Sequence, residues 1–357
     1  MKRAKITLVL LLFFSVPFLS SYTYGGDRGE IQNYLPEEFG NKSEEELFSS
    51  LSISSVINAV LSAFSESAAE VLGFFTMIFG LAVLSIAAEI CTPGESPAFS
   101  RHISAAASAV IALSVFTGIH PLYQSVSDGI ASISSTFGSA IPVFTAILSA
   151  GGELKSAAMG SLNMNITLAA IGYVSNKLLL PLASAVFALS LLAGIDTGPA
   201  SAVAKKVKGF FFWALGIVTT VLLSVFSMQS LIAGASDSAY LRAAKYAASG
   251  MIPVVGSTVS SALGTLAGGI SYAKSIAGVG VVALMLGAAI APIIKLLLYR
   301  LSFSTVISFL EFAGAETGKK SFSAFKDSVE ILTAVYVMTT LICIFEVIIL
   351  IKCGGNI

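Results

Sequence analysis

The chain has 357 residues, 55% of them hydrophobic and only 11% charged, with a formal net charge of zero and a mean hydropathy of +0.89. A soluble globular protein carries about 25% charged residues, so water is excluded as the sole solvent for this surface. The balanced charge, with no long basic stripe, excludes nucleic acid as a partner.

The first segment has the order of a targeting signal. Lys2, Arg3 and Lys5 precede an apolar run from Ile6 to Leu19, followed by small and polar residues up to Gly25. Residues 1–25 are therefore read as a signal peptide, cleaved near Thr23 to Gly25 or retained as a first anchor. Either outcome delivers residues 26–70 outside the cytoplasm. That segment opens acidic (Asp27, Glu30, Glu37, Glu38, Glu44, Glu45, Glu46), and Ser43 stands three residues before Glu46 at capping-box spacing. From Leu47 to Phe64 apolar residues recur at helical spacing, which predicts an amphipathic helix lying against the membrane or a partner.

Residues 71–357 read as a multi-span membrane domain. A span needs about 20 mostly apolar residues, and six stretches qualify: 71–88, 103–123, 178–195, 209–232, 275–298 and 331–351. Phe210, Phe211, Phe212 and Trp213 form an interfacial belt at one end of the fourth. With residues 26–70 outside, the loops at 89–102, 196–208 and 299–330 face the cytoplasm. They hold Arg101, Lys205, Lys206, Lys208, Arg300, Lys319, Lys320 and Lys326, a positive density that agrees with this orientation. Glu311 and Glu316 fall in an amphipathic stretch of the last loop, from Phe303 to Phe325.

Three more stretches, 129–152, 156–176 and 246–273, are uncharged yet only half apolar, and rich in Ser, Gly and Ala. They read as re-entrant, amphipathic or cavity-lining helices on the outer side, because polar backbone at membrane depth needs cover from protein or water. The expected fold is an all-α polytopic bundle of about six transmembrane helices plus these semi-polar helices.

Within the bundle, Gly256, Ser260, Gly264 and Gly268 recur every four residues, and Ala283, Gly287 and Ala291 mark a face of the next span. Small residues at this spacing let backbones approach in lipid. They serve either packing within one chain or a contact between subunits or a pore wall. Glu346 sits between Phe345 and Val347 in the last span. A carboxylate there pairs with a lysine of another span, binds a proton or lines a water-filled path; lying near the outer end, it also has the reach to meet the interface. Lys274 and Lys295 bracket an apolar run and read as two lysines snorkelling to opposite headgroup layers.

Chemistry finds no other foothold. Cys91, Cys343 and Cys353 with His102 and His120 are too scattered for a disulfide framework or a metal site. Gly278, Gly280 and Ala283 match a dinucleotide pattern inside an apolar span, without the required strand and helix. Gly314 to Ser321 looks like a P-loop with one residue too few between the glycines and Lys320 where Ser or Thr belongs. No catalytic residue, cofactor or metal is expected.

Several blocks resemble the stage III sporulation protein AE family of endospore-forming bacteria. They are Ala243 to Ser257, Ala262 to Leu266, Lys274 to Gly280 and Pro292 to Leu297, with an earlier stretch from Ala140 to Gly152. The likeness covers most of the chain from about residue 50 and is specific over 243–301. The segment Ser308 to Gly314 departs from the family's more apolar turn ending in Pro. The resemblance implies a permease-like component of a secretion or feeding channel complex in the mother-cell membrane facing the forespore. Its implied partners are the other stage III sporulation A-operon membrane proteins and the associated ATPase. A stand-alone secondary transporter or a non-transporting scaffold is the alternative, and no catalytic residue transfers from the family.

Overall fold

The computed structural model describes residues 53–90, 97–173, 199–251 and 256–352. Its elements are α1 (Ile53–Ile90), α2 (Pro97–Ala150), α3 (Leu154–Tyr173), α4 (Pro199–Met251), α5 (Gly256–Phe312) and α6 (Glu316–Lys352). Among the described residues there is no strand, and the fold is an all-α polytopic bundle. Five helical stretches are long and apolar enough to cross a membrane: Ile57–Ile90, Ala105–Ala150, Lys206–Ala243, Gly268–Phe312 and Glu316–Ile351. Five of the six expected spans lie on them. The sixth, 178–195, lies outside the described residues, as do the signal and most of the acidic lead.

The helices are longer than the apolar runs that seed them. α2 continues from the 103–123 run through the semi-polar 129–150 stretch as one helix, carrying Pro121 and Pro142 inside it. α3 takes most of the 156–176 stretch. The 246–273 stretch is divided between the end of α4 and the start of α5. α1 runs unbroken across residue 70, so the amphipathic lead and the first apolar run form one helix. Two turns use glycine in the left-handed region, where a Cβ is strained: Gly152 (φ 76°) between α2 and α3, and Gly314 (φ 74°) between α5 and α6.

The packing corrects the register of the expected spans. α1 lies beside the second half of α5: Phe74 stacks on Tyr299 with ring centroids 4.4 Å apart, and Phe79 meets Phe309 at 4.8 Å. At the tip, the Thr317 N–H donates to the Glu89 carboxylate at 2.8 Å. The apolar run 71–88 therefore lies beside the first part of residues 299–330, expected as a cytoplasmic loop. The Tyr299 hydroxyl also donates to the Gly118 carbonyl of the 103–123 run at 3.3 Å. Residues 299–330 form a helical hairpin whose inward face, Phe303, Val306, Leu310, Phe322, Phe325 and Val329, is fully buried. Its serines Ser302 and Ser308 return their hydroxyls to the helix carbonyl four residues back. They lower the hydropathy of the segment without removing it from the core.

The result is two apolar tiers stacked along the bundle axis. Lys208, at the start of the apolar part of α4, reaches Asp327 and Glu330 of α6. From that level to Leu350 is about 30 Å at 1.5 Å per residue, already one hydrocarbon core. The whole of α6 measures about 55 Å, and a tilt of about 40° still leaves about 40 Å.

Candidate functional site

The lower part of the upper tier is closed by small residues. A Cβ on Gly129 of α2 would stand 2.7 Å from the Tyr336 hydroxyl and 2.8 Å from Cγ of Pro292, so α2, α5 and α6 meet there at backbone distance. Further up, Gly160 of α3 lies against Leu350, and Gly278 of α5 against Ile351 and Phe144. These glycines are close-packing positions of the interior.

Above this seal the interior becomes polar. α3 presents Ser156, Gly160, Asn163 and Thr167 at spacings of four, three and four, a single helical face, and all four positions are buried. Glu346 of α6 is 2% exposed, Asn163 and Thr167 1% each. The Thr167 hydroxyl faces the Glu346 carboxylate without closing a hydrogen bond to it. Glu346 Oε1 and Oε2, Asn163 Oδ1 and Nδ2, and Thr167 Oγ1 have no hydrogen-bond partner among the described residues. A buried neutral group left unpaired costs about 1–3 kcal/mol, and an unpaired ion costs several more.

One turn beyond the upper end stands a second cluster. Lys274 of α5, fully buried, places Nζ 3.4 Å from Oε2 of Glu153 in the α2–α3 turn. Burial pushes the Glu153 carboxyl above the usual carboxylate range, and the Lys274 ammonium opposes that shift. Asp237 of α4 accepts the Lys155 and Ser156 N–H groups at 3.2 and 2.7 Å. Those donors open α3 and have no intrahelical acceptor, so a carboxylate from another helix caps them.

A third set of charges joins the two tiers. Lys295 reaches Glu70 at 2.7 Å, and the Tyr299 hydroxyl donates toward the same carboxylate at 3.2 Å. Lys208 reaches Asp327 at 2.5 Å and Glu330 at 2.6 Å, and Arg300 reaches Glu330 at 3.1 Å. Lys274 is thus ion-paired in the interior, whereas Lys295 pairs at the bundle's margin with the exposed Glu70. Glu346 meets no lysine among these pairs.

The predicted glycine stripe sits at the far end of the bundle. Gly256, Ser260 and Gly264 lie in the first turns of α5. Gly268 and Gly287 are on exposed faces, with no described atom within 4 Å of where a Cβ would stand. Sequence reasoning missed Glu153, Glu70, Asp237, Asn163 and Thr167. The first two lie at the edges of polar segments, and α3's amide and hydroxyl lie in a stretch whose serines and asparagines look alike until one face is seen to be buried.

Long apolar helices whose outward faces carry Leu113, Trp213, Val218, Val225, Leu231 and Ile232, all exposed, enclose charged pairs and unpaired polar groups. That arrangement defines a multi-pass membrane protein with a polar interior. The sequence matches the stage III sporulation protein AE family over residues 41–354, nearly its whole length, and the chain belongs to that family. It is similar to stage III sporulation protein AE of Bacillus subtilis (strain 168), 24% identical over 192 residues, covering 53% of this chain and 47% of the relative. The chain thus aligns with about half the length of that curated relative. No solved structure matches.

Proposed function

We propose that this sporulation protein is the membrane-embedded, permease-like part of a secretion or feeding channel complex between mother cell and forespore, required for spore development. The observation that carries this reading is the inward placement of charge: the buried pair of Lys274 with Glu153, and the half-buried cluster of Lys208 with Asp327 and Glu330. Ionisable groups at membrane depth are costly and mark pathways for ions or substrates. The partners are the other stage III sporulation A-operon membrane proteins and the associated ATPase. The Ala313–Ala315 turn faces the cytoplasm, and the acidic lead ahead of α1 faces the opposite side, towards the forespore.

A scaffold reading is favoured by one observation, the open faces at Gly268 and Gly287, which suit contact with a neighbouring helix. The two readings separate in a deletion strain of a spore-forming host. Complementation with the wild-type chain restores heat-resistant spores and passage of a small labelled solute into the forespore. A double variant, Lys274→Met with Glu153→Gln, keeps its partners on co-purification but loses solute passage. Solute passage at the wild-type level with that variant would assign the chain to scaffolding.

A further inference from the structure

We propose that Glu346, Asn163 and Thr167 form a binding site for one alkali-metal cation between α3 and α6. The three side chains come from two helices that meet antiparallel. Gly160 abuts Leu350 at one level, Thr167 faces Glu346 about two turns further along α3, and Asn163 lies between them on the same buried face. Each is nine-tenths buried or more, and the carboxylate, the amide and the hydroxyl all lack a partner among the described residues. A carboxylate, an amide carbonyl and a hydroxyl are oxygen donors of the kind that hard cations take.

Charge selects the ligand. Among the described residues, the lysines of α4 and α5 that enter ion pairs are committed elsewhere: Lys274 to Glu153, Lys295 to Glu70, and Lys208 to Asp327 and Glu330. The titratable group beside Glu346 among the described residues is Cys343, one turn earlier on α6 and buried, and it supplies no positive charge. One monovalent cation brings the cluster to neutrality, whereas a divalent ion would leave a net positive charge in an apolar surround. A proton would neutralise Glu346 and supply one O–H donor, which Asn163 Oδ1 or Thr167 Oγ1 could accept, but it engages only one of those oxygens at a time. A cation collects all three oxygen types at once. The ligand class is therefore a dehydrated monovalent ion such as Na+ or K+.

The test uses the purified full-length chain in detergent at fixed pH and ionic strength, with choline replacing the alkali ion. Equilibrium binding of radiolabelled Na+, with K+ as competitor, should saturate near one ion per chain and raise the melting temperature. Glu346→Gln removes the charge while keeping the shape, and should abolish both effects while the variant melts cooperatively. Asn163→Ala should weaken binding tenfold or more, and Glu311→Gln, on the exposed tip, should leave it unchanged. Binding that survives in Glu346→Gln would overturn the assignment. So would a melting temperature that responds to pH through Glu346 but to neither Na+ nor K+, which would make the site a proton site. Indifference to all three would overturn it as well.

Discussion

Nζ of the fully buried Lys274 stands 3.4 Å from Oε2 of Glu153, so a charge in the α5 interior is answered by one in the turn that redirects the chain from α2 into α3. Glu153 is also the position where burial and the ammonium oppose each other, with burial ahead. A carboxyl raised in the folded state binds its proton more tightly there than in the unfolded chain. Its contribution therefore favours folding below the ordinary value of 4.5 and is lost as pH rises through the folded value.

Lys274→Met removes the group that holds Glu153 down, so the Glu153 carboxyl rises further. At neutral pH the variant buries an uncompensated carboxylate, and breaking a buried pair this way costs about 3–5 kcal/mol. As pH falls, Glu153 takes a proton and the penalty fades. Melting curves of wild type and variant should converge towards acid; a gap that stays constant with pH would mean that Lys274 contributes packing alone.

Gly129 is the sharpest test of the interior packing. Its neighbours there are a ring and a pyrrolidine, Tyr336 and Pro292, neither of which can swing away as a flexible side chain does. Gly129→Ala should destabilise by about 1–3 kcal/mol through overpacking, exceeding the gain of roughly 1 kcal/mol that alanine brings to a helix. A variant as stable as wild type in denaturant titration would show that α2 and α5 separate there at little cost.

The close-packed glycines show what periodicity leaves out. Recurrence every four residues from Gly256 to Gly268 marks a helix face but not its neighbour, whereas Gly129, Gly160 and Gly278 lie in no such series and are found only once the helices are assembled. The all-α bundle and five of its spans were legible because a run of about 20 apolar residues is a local property. The level at which each run sits is not local. The hairpin from Arg300 to Glu330 lost hydropathy to serines and charges, while its phenylalanines kept it buried against α1. Glu346 stood out as a lone carboxylate among Ile344, Phe345 and Val347; its neighbours Asn163 and Thr167 did not, because polar residues are unremarkable in a stretch already half polar.

Gly268→Leu and Gly287→Leu separate folding from assembly. With no described atom within 4 Å of either position, a larger side chain should change the melting temperature of the isolated chain by no more than a few degrees. If those faces receive another subunit's helix, the same variants should lose co-purifying partners, because small residues set the approach distance between helices in lipid. Retention of all partners by both variants would place the faces against lipid.

The orientation rests on the hairpin tip, where Phe312 is 92% exposed just before the Gly314 turn and the Lys319, Lys320 pair. A single cysteine at position 312 in a cysteine-free background should resist a membrane-impermeant thiol reagent in intact cells and react in inside-out vesicles. Companion cysteines at 206 and 320 should behave the same way, and those at 30 and 260 the opposite way. Position 206 carries independent information, because α4 meets α6 at Asp327 and Glu330, roughly 16 Å up the helix from the tip. If 312 and 320 react only in inverted vesicles while 206 is silent on both sides, the membrane boundary falls between the two tiers' basic levels and the start of α4 is submerged. If 312 reacts in intact cells, the whole bundle is inverted, and the positive density at 205–208 and 319–326 has failed as a guide to its orientation.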